Sequence, residues 1–142
     1  MRREEGREKS ATTMKIRDFR ELTVYQNAFE TQQEVFRLTH TFPNDERFSL
    51  TDQIRRCSRS VGANITEAWR KRRYPAVFVS KLSDADAEAA ETTHWIDTAL
   101  QCGYIKPGTH ADLLARYNHI CAQLVTMMDA PEKWCSDHER KG

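Results

Sequence analysis

Apolar residues in this chain recur three and four positions apart, and no stretch alternates in the manner of a strand. From Thr23 to His40, Val24, Tyr25, Ala28, Phe29, Val35 and Phe36 gather on one side of a helix turning about 100° per residue. "TFPND" is expected to end it, because Phe42 precedes a proline and is pushed out of helical geometry. A second helix is expected over Leu50–Arg73, with Ile54, Cys57, Val61, Ile65 and Ala68 as a heptad-like stripe. Ser49 and Asp52 resemble a capping box with Asp in place of Glu. Gly62, inside this helix, costs about 1 kcal/mol against alanine. Either a partner backbone comes close there or the stability is simply lost.

The third helix is expected over Pro75–Cys102, with Phe78, Leu82, Ala85, Ala89, Ile96 and Leu100 inward and Gly103 as a left-handed stop. The fourth is expected over Thr109–Trp134, with Leu113, Tyr117, Ile120, Leu124 and Met127 inward and Pro131 kinking it or ending it early. The connections between them are short. Short connections favour an all-α, antiparallel up-down-up-down four-helix bundle. The fourth helix is also apolar at Leu114, Cys121, Val125 and Met128. Such width calls for two neighbours in the bundle or a partner subunit, the latter making a homo-oligomer.

Length and composition fit one such domain. The chain has 142 residues, enough to bury a core without disulfide or metal staples. Residues 1–15 carry almost no apolar side chains and read as a disordered tail, with Met14 as an alternative start. Residues 16–136 read as the bundle and 137–142 as a flexible C-terminus. No run approaches the roughly 18 apolar residues of a membrane span, and no apolar signal core opens the chain. The expected location is cytoplasmic, where Cys57, Cys102, Cys121 and Cys135 are thiols. Cys57, Cys102 and Cys121 read as small core hydrophobes.

Charge changes this picture. The whole chain has a formal net charge of +1. Over residues 49–75, however, seven basic residues face two acidic ones, a net of +5. Over 76–102 one basic residue faces five acidic ones, a net of −4. On the second helix Arg55, Arg59, Arg70 and Arg73 share one flank beside the apolar stripe, with Arg56 and Arg72 as further candidates. Such a flank extends about 27 Å at 1.5 Å per residue. Guanidinium forks suit phosphate oxygens, so the flank can follow a nucleic-acid backbone. The same flank can equally be solvated, or pair with the acidic third helix (Asp84, Asp86, Glu88, Glu91, Asp97) within a subunit or between subunits.

Other chemistry finds little support. "ETTH" places Glu91 and His94 at the spacing of half a di-iron site, but no second such half exists and both lie off the core stripe. There is no nucleophile elbow, phosphate-binding glycine loop or dinucleotide fingerprint. Glu67 is expected to pair with Arg70 or Lys71 rather than to act as an acid or base. Asn64 is expected to cap another segment, to bond across a helix pair or to lie partly exposed. No enzymatic activity, cofactor, metal or small-molecule substrate is expected.

The stretch "VYQNAFETQQEVFRLTHTFPNDERFSLTDQIRRCSRSVGANITEAW" resembles a four-helix-bundle family. That family includes the proteins encoded in intervening sequences of bacterial large-subunit ribosomal RNA genes. It also includes the accessory variability proteins of diversity-generating retroelements. The resemblance is carried by Leu38-Thr39, Phe42-Pro43, Glu46 with Phe48, Gln53-Ile54-Arg55-Arg56, Ser60-Val61, Ala63-Asn64-Ile65 and Glu67, then by Phe78, Leu82 and Gly103-Tyr104. Ala68 stands where the family commonly has glycine. The resemblance implies a bundle assembling into a ring, a homopentamer, without enzymatic activity. In the retroelement branch it implies a nucleic-acid-binding partner of a reverse transcriptase. The resulting expectation is an oligomeric module that contacts RNA or DNA backbone through the basic helix. The alternative is a protein-only scaffold whose basic and acidic helices pair between subunits.

Overall fold

The computed structural model describes residues 16–135. The expected tail over 1–15 and flexible end over 137–142 lie outside the described residues. Four long helices make the fold: α1 (Thr23–Thr39), α2 (Leu50–Arg70), α3 (Pro75–Gln101) and α4 (Pro107–Asp129). Short 3-10 turns at Phe19–Glu21 and Asn44–Glu46 precede α1 and α2. There is no strand among the described residues. Each helix packs on the next, and α1 also meets α4, so the four enclose one core. No helix among the described residues is long and apolar enough to cross a membrane.

The stripes of α2, α3 and α4 form this core almost as read. Ile54, Cys57, Val61, Ile65 and Ala68 are buried, as are Phe78, Leu82, Ala85, Ala89 and Ile96, and Leu113, Tyr117, Ile120, Leu124 and Met127. Leu100 is only partly buried. α1 departs from expectation. Its buried residues are Val24, Ala28, Thr31, Val35 and Thr39, a narrow stripe within about 80° of arc. The threonines fit because each hydroxyl donates to the helix's own backbone, Thr31 to Asn27 O and Thr39 to Phe36 O, both at 2.7 Å. Tyr25, Phe29 and Phe36 consequently sit on a flank rather than in the core, and Phe29 is 44% exposed.

Helix ends differ from the sequence reading for identifiable reasons. Ser49 does not cap α2 with its side chain. The Glu46 carboxylate takes that role, accepting from Leu50 N at 3.3 Å and Ser49 Oγ at 2.8 Å. α2 ends at Arg70 and the chain turns through Lys71–Arg73, so Arg72 and Arg73 leave the helical register. α4 begins at Pro107, whose missing N–H is no loss in the first turn, and ends at Asp129, before Pro131. Gly103 adopts φ 80°, and a Schellman closure follows, with Tyr104 N donating to Ala99 O and Gly103 N to Leu100 O, both at 2.9 Å.

Gly62 has no partner backbone against it. A Cβ there meets the Tyr25 ring at 3.5 Å and the Gln32 side chain at 3.8 Å, which is ordinary contact. Of the cysteines read as core, Cys57 is buried and Cys121 partly so, whereas Cys102 is exposed past the end of α3.

Candidate nucleic-acid interface

The aromatic flank of α1 and the arginine flank of α2 lie side by side. Phe36 is the meeting point. The Arg55 guanidinium lies 4.8 Å from its ring centroid and that of Arg59 lies 5.3 Å away. Arg55 also donates from Nε to Thr39 Oγ1 at 2.9 Å, which anchors its stem to the end of α1. Arg56 donates to Gln53 Oε1 at 3.0 Å along its own helix. Guanidinium groups held over a ring keep their in-plane N–H edges available, and holding them reduces the side-chain entropy lost when an anion binds.

These three arginines line one open groove of about 410 Å³, with Asp52, Ser60 and Ala63 completing it. None of the three forms an ion pair with a carboxylate among the described residues; the groove's own acid, Asp52, is unpaired with them. Arg56 is nonetheless close enough to α3 to favour the charged form of Glu88. Burial outweighs it and, with Glu91, raises the Glu88 carboxyl above the usual range.

Arg70, Arg72 and Arg73 form a separate group, about 16 Å further along α2 from Arg59. Arg70 and Arg73 are exposed with no ion pair among the described residues. Arg72 donates to Trp69 O at 2.8 Å and lies 3.7 Å from the Trp69 ring centroid, sealing the end of the core. The expected continuous flank is therefore two clusters, because the helix stops before Arg73 and because Thr66 and Ala63 fill the interval.

Three further expectations are corrected or resolved. Glu67 pairs with Lys81 of α3 at 2.7 Å, not with Arg70 or Lys71, and this bond raises the Lys81 ammonium pKa. Lys81 also lies 4.0 Å from Asp84. Asn64 donates to Ser60 O at 2.9 Å and thus caps no other segment. Glu91 accepts from Trp95 Nε1 at 3.2 Å and His94 packs edge-on against Trp95, both on the outer face of α3. Among the described residues no three His, Cys, Asp or Glu side chains converge as metal ligands.

The sequence reading missed the role of Phe36, which it assigned to the core. The available signal was its place at the edge of the α1 stripe. It named Phe48 only as part of the resemblance and gave it no site role; Phe48 is 86% exposed with the Arg47 guanidinium 5.1 Å from its ring centroid.

Four helices around a single core, with an open arginine groove on the second, define an all-helical protein of the helical-bundle class. The family model described as 23S rRNA-intervening sequence protein matches residues 20–126, and the chain belongs to that family. A solved structure is similar to it: a protein of unknown function from the S23 ribosomal protein family of Bacteroides thetaiotaomicron. The two share 27% identity at a TM-score of 0.69, over 75% of this chain and 95% of the other. No curated protein matches the sequence.

Proposed function

We propose that this protein is a non-enzymatic binding module whose α2 arginines contact the phosphate backbone of RNA or DNA. The observation that carries this reading is the groove where Arg55, Arg56 and Arg59 converge without a carboxylate partner among the described residues. Arg70 and Arg73 extend the contact at the far end of the helix, and Arg72 borders it. Recognition in this reading rests on charge and shape, through arginine contacts to phosphate. The location proposed is the cytoplasm, and the wider role is that of an accessory to a nucleic-acid enzyme such as a reverse transcriptase.

The helices run up-down-up-down in this reading. The hydrogen bond of Tyr104 to Glu46 supports it, because it joins the α1–α2 and α3–α4 connections at one end. The exposed Phe29 and Val125, on α1 and α4, support self-association, and the ring of five subunits proposed for it rests on the family resemblance. A ring places several copies of the groove around one axis, so weak single contacts add by multivalency.

Titration of labelled RNA and duplex DNA at several salt concentrations tests the function. Log affinity is expected to fall with log salt, and Arg56→Gln with Arg59→Gln is expected to reduce the slope by about two contacts. Affinity indifferent to salt, or unchanged in this double variant, removes the proposal.

The second reading is the protein-only scaffold. It is favoured by the fact that α3 carboxylates such as Glu88 and Asp86 form no ion pair with α2 arginines among the described residues. Light scattering separates the two: an assembly that dissociates at high salt and binds no nucleic acid supports the scaffold.

A further inference from the structure

Resting on the backbone reading above, we infer that the nucleic acid taken by this surface is single-stranded, with its bases stacked on Phe48 and Tyr74. Three aromatic rings are strongly exposed among the described residues: Phe29 at 44%, Phe48 at 86% and Tyr74 at 59%. Two of the three bracket the basic helix. Phe48 lies two residues before α2 begins, and Tyr74 lies four residues after it ends. Each stands beside its own arginine cluster. Phe48 carries Arg47 over its ring and leads within two helical turns to Arg55 and Arg56. Tyr74 follows directly on Arg70, Lys71, Arg72 and Arg73.

An exposed phenylalanine has no hydrogen bond to offer water, so burying its faces against another flat surface is its main available gain. Unpaired bases provide such a surface, whereas a duplex keeps its bases stacked inside and shows only edges and phosphates. A basic helix with aromatic platforms just before its start and just after its end combines the two features that hold a single strand without sequence preference. The interval between the two rings is about 30 Å, set by the length of α2, so one strand several nucleotides long touches both. Arg47 adds to the platform, because a guanidinium can stack on a base while its edge reaches the neighbouring phosphate.

The test measures anisotropy of a fluorescein-labelled RNA about 20 nucleotides long, as a single strand and annealed to its complement. A DNA strand of the same sequence reports any dependence on the 2′-hydroxyl. Wild type, Phe48→Ala and Tyr74→Ala are compared, with thermal melting as a folding control and light scattering as a control for assembly. Each substitution is expected to weaken single-strand binding about ten-fold and to leave duplex binding, melting and assembly mass unchanged. Equal loss on both forms, or no loss on either, overturns the stacking inference while the backbone reading stands. A Phe48→Ala protein of lower assembly mass also overturns it, since the ring is then a subunit contact. Wild-type protein that binds neither form overturns both.

Discussion

The Tyr104 hydroxyl donates to Glu46 Oε2 at 2.7 Å, joining two residues 58 positions apart. The same carboxylate receives Ser49 Oγ and Leu50 N, so one side chain caps α2 and fixes the turn between α3 and α4. The Tyr104 and Phe42 rings lie 5.6 Å apart beneath this bond. This end of the bundle is thereby set by a polar contact as well as by packing.

That bond predicts a pH dependence at both limits. The hydrogen bond from Tyr104, with those from Ser49 and Leu50, holds the Glu46 carboxyl below its ordinary value. A depressed carboxyl contributes stability present above the unfolded value of 4.5 and lost as pH falls below it. Tyr104 is pushed up to about 12 by the same bond, so its contribution is present below pH 10.0 and lost as pH rises toward 12. Urea titrations from pH 3 to 7 are expected to show a shallower acid limb for Tyr104→Phe than for wild type. Parallel limbs in the two proteins contradict the assignment.

Tyr117 is fully buried on α4, and its hydroxyl has no hydrogen-bond partner among the described residues. Burial raises its pKa and keeps it neutral. Removing an unsatisfied buried hydroxyl while keeping the ring is neutral to favourable, by up to about 1 kcal/mol. Tyr117→Phe is expected to melt at or above the wild-type temperature, whereas Tyr117→Ala is expected to lose about 3–5 kcal/mol through the cavity. Calorimetry of both proteins is the check, and a marked loss in Tyr117→Phe counts against an unpaired hydroxyl.

Two glycines are expected to respond oppositely to alanine. At Gly62 the new Cβ meets only side chains at ordinary distances, so Gly62→Ala is expected to gain about 1 kcal/mol from helix propensity. At Gly103 nothing crowds a Cβ, yet φ is +80°, and Gly103→Ala is expected to lose about 1–2 kcal/mol. Chemical denaturation reads both, and a loss at Gly62 indicates that Tyr25 cannot yield.

Thiol reactivity is expected to sort the cysteines. Cys102 is exposed beyond α3 and is expected to be alkylated first. Burial pushes the Cys57 thiol up to about 11, and burial with the Asp86 contact pushes Cys121 up to about 12. Both are therefore expected to react slowly at neutral pH, because the thiolate is the reactive form. Timed iodoacetamide labelling read by peptide mass spectrometry tests the order.

Much of this was legible in the residues. The spacing of Ile54, Cys57, Val61, Ile65 and Ala68 fixes which side of α2 turns inward, because burying that stripe is the dominant gain available to it. Pro75 and Gly103 mark helix limits through backbone geometry alone, as the positive φ of Gly103 shows. Phe29 and Phe36 were not assignable in this way. A wheel places them at the edge of a stripe, and only the positions of neighbouring helices decide whether an edge is covered. Thr31 and Thr39 took the inward places instead, since each hydroxyl is satisfied by its own helix.

The candidate site divides similarly. That α2 is basic and α3 acidic is a property of the sequence, and so is the family to which the chain belongs. Periodicity determined the number of helices and the inward faces of α2, α3 and α4, because local geometry and apolar burial suffice for both. Only the tertiary structure decided that Glu67 takes Lys81, that Phe36 supports Arg55 and Arg59, and that Arg73 leaves the line of the others. Charge pairing and stacking depend on distances between elements far apart in the chain, and those distances exist only once the helices have packed.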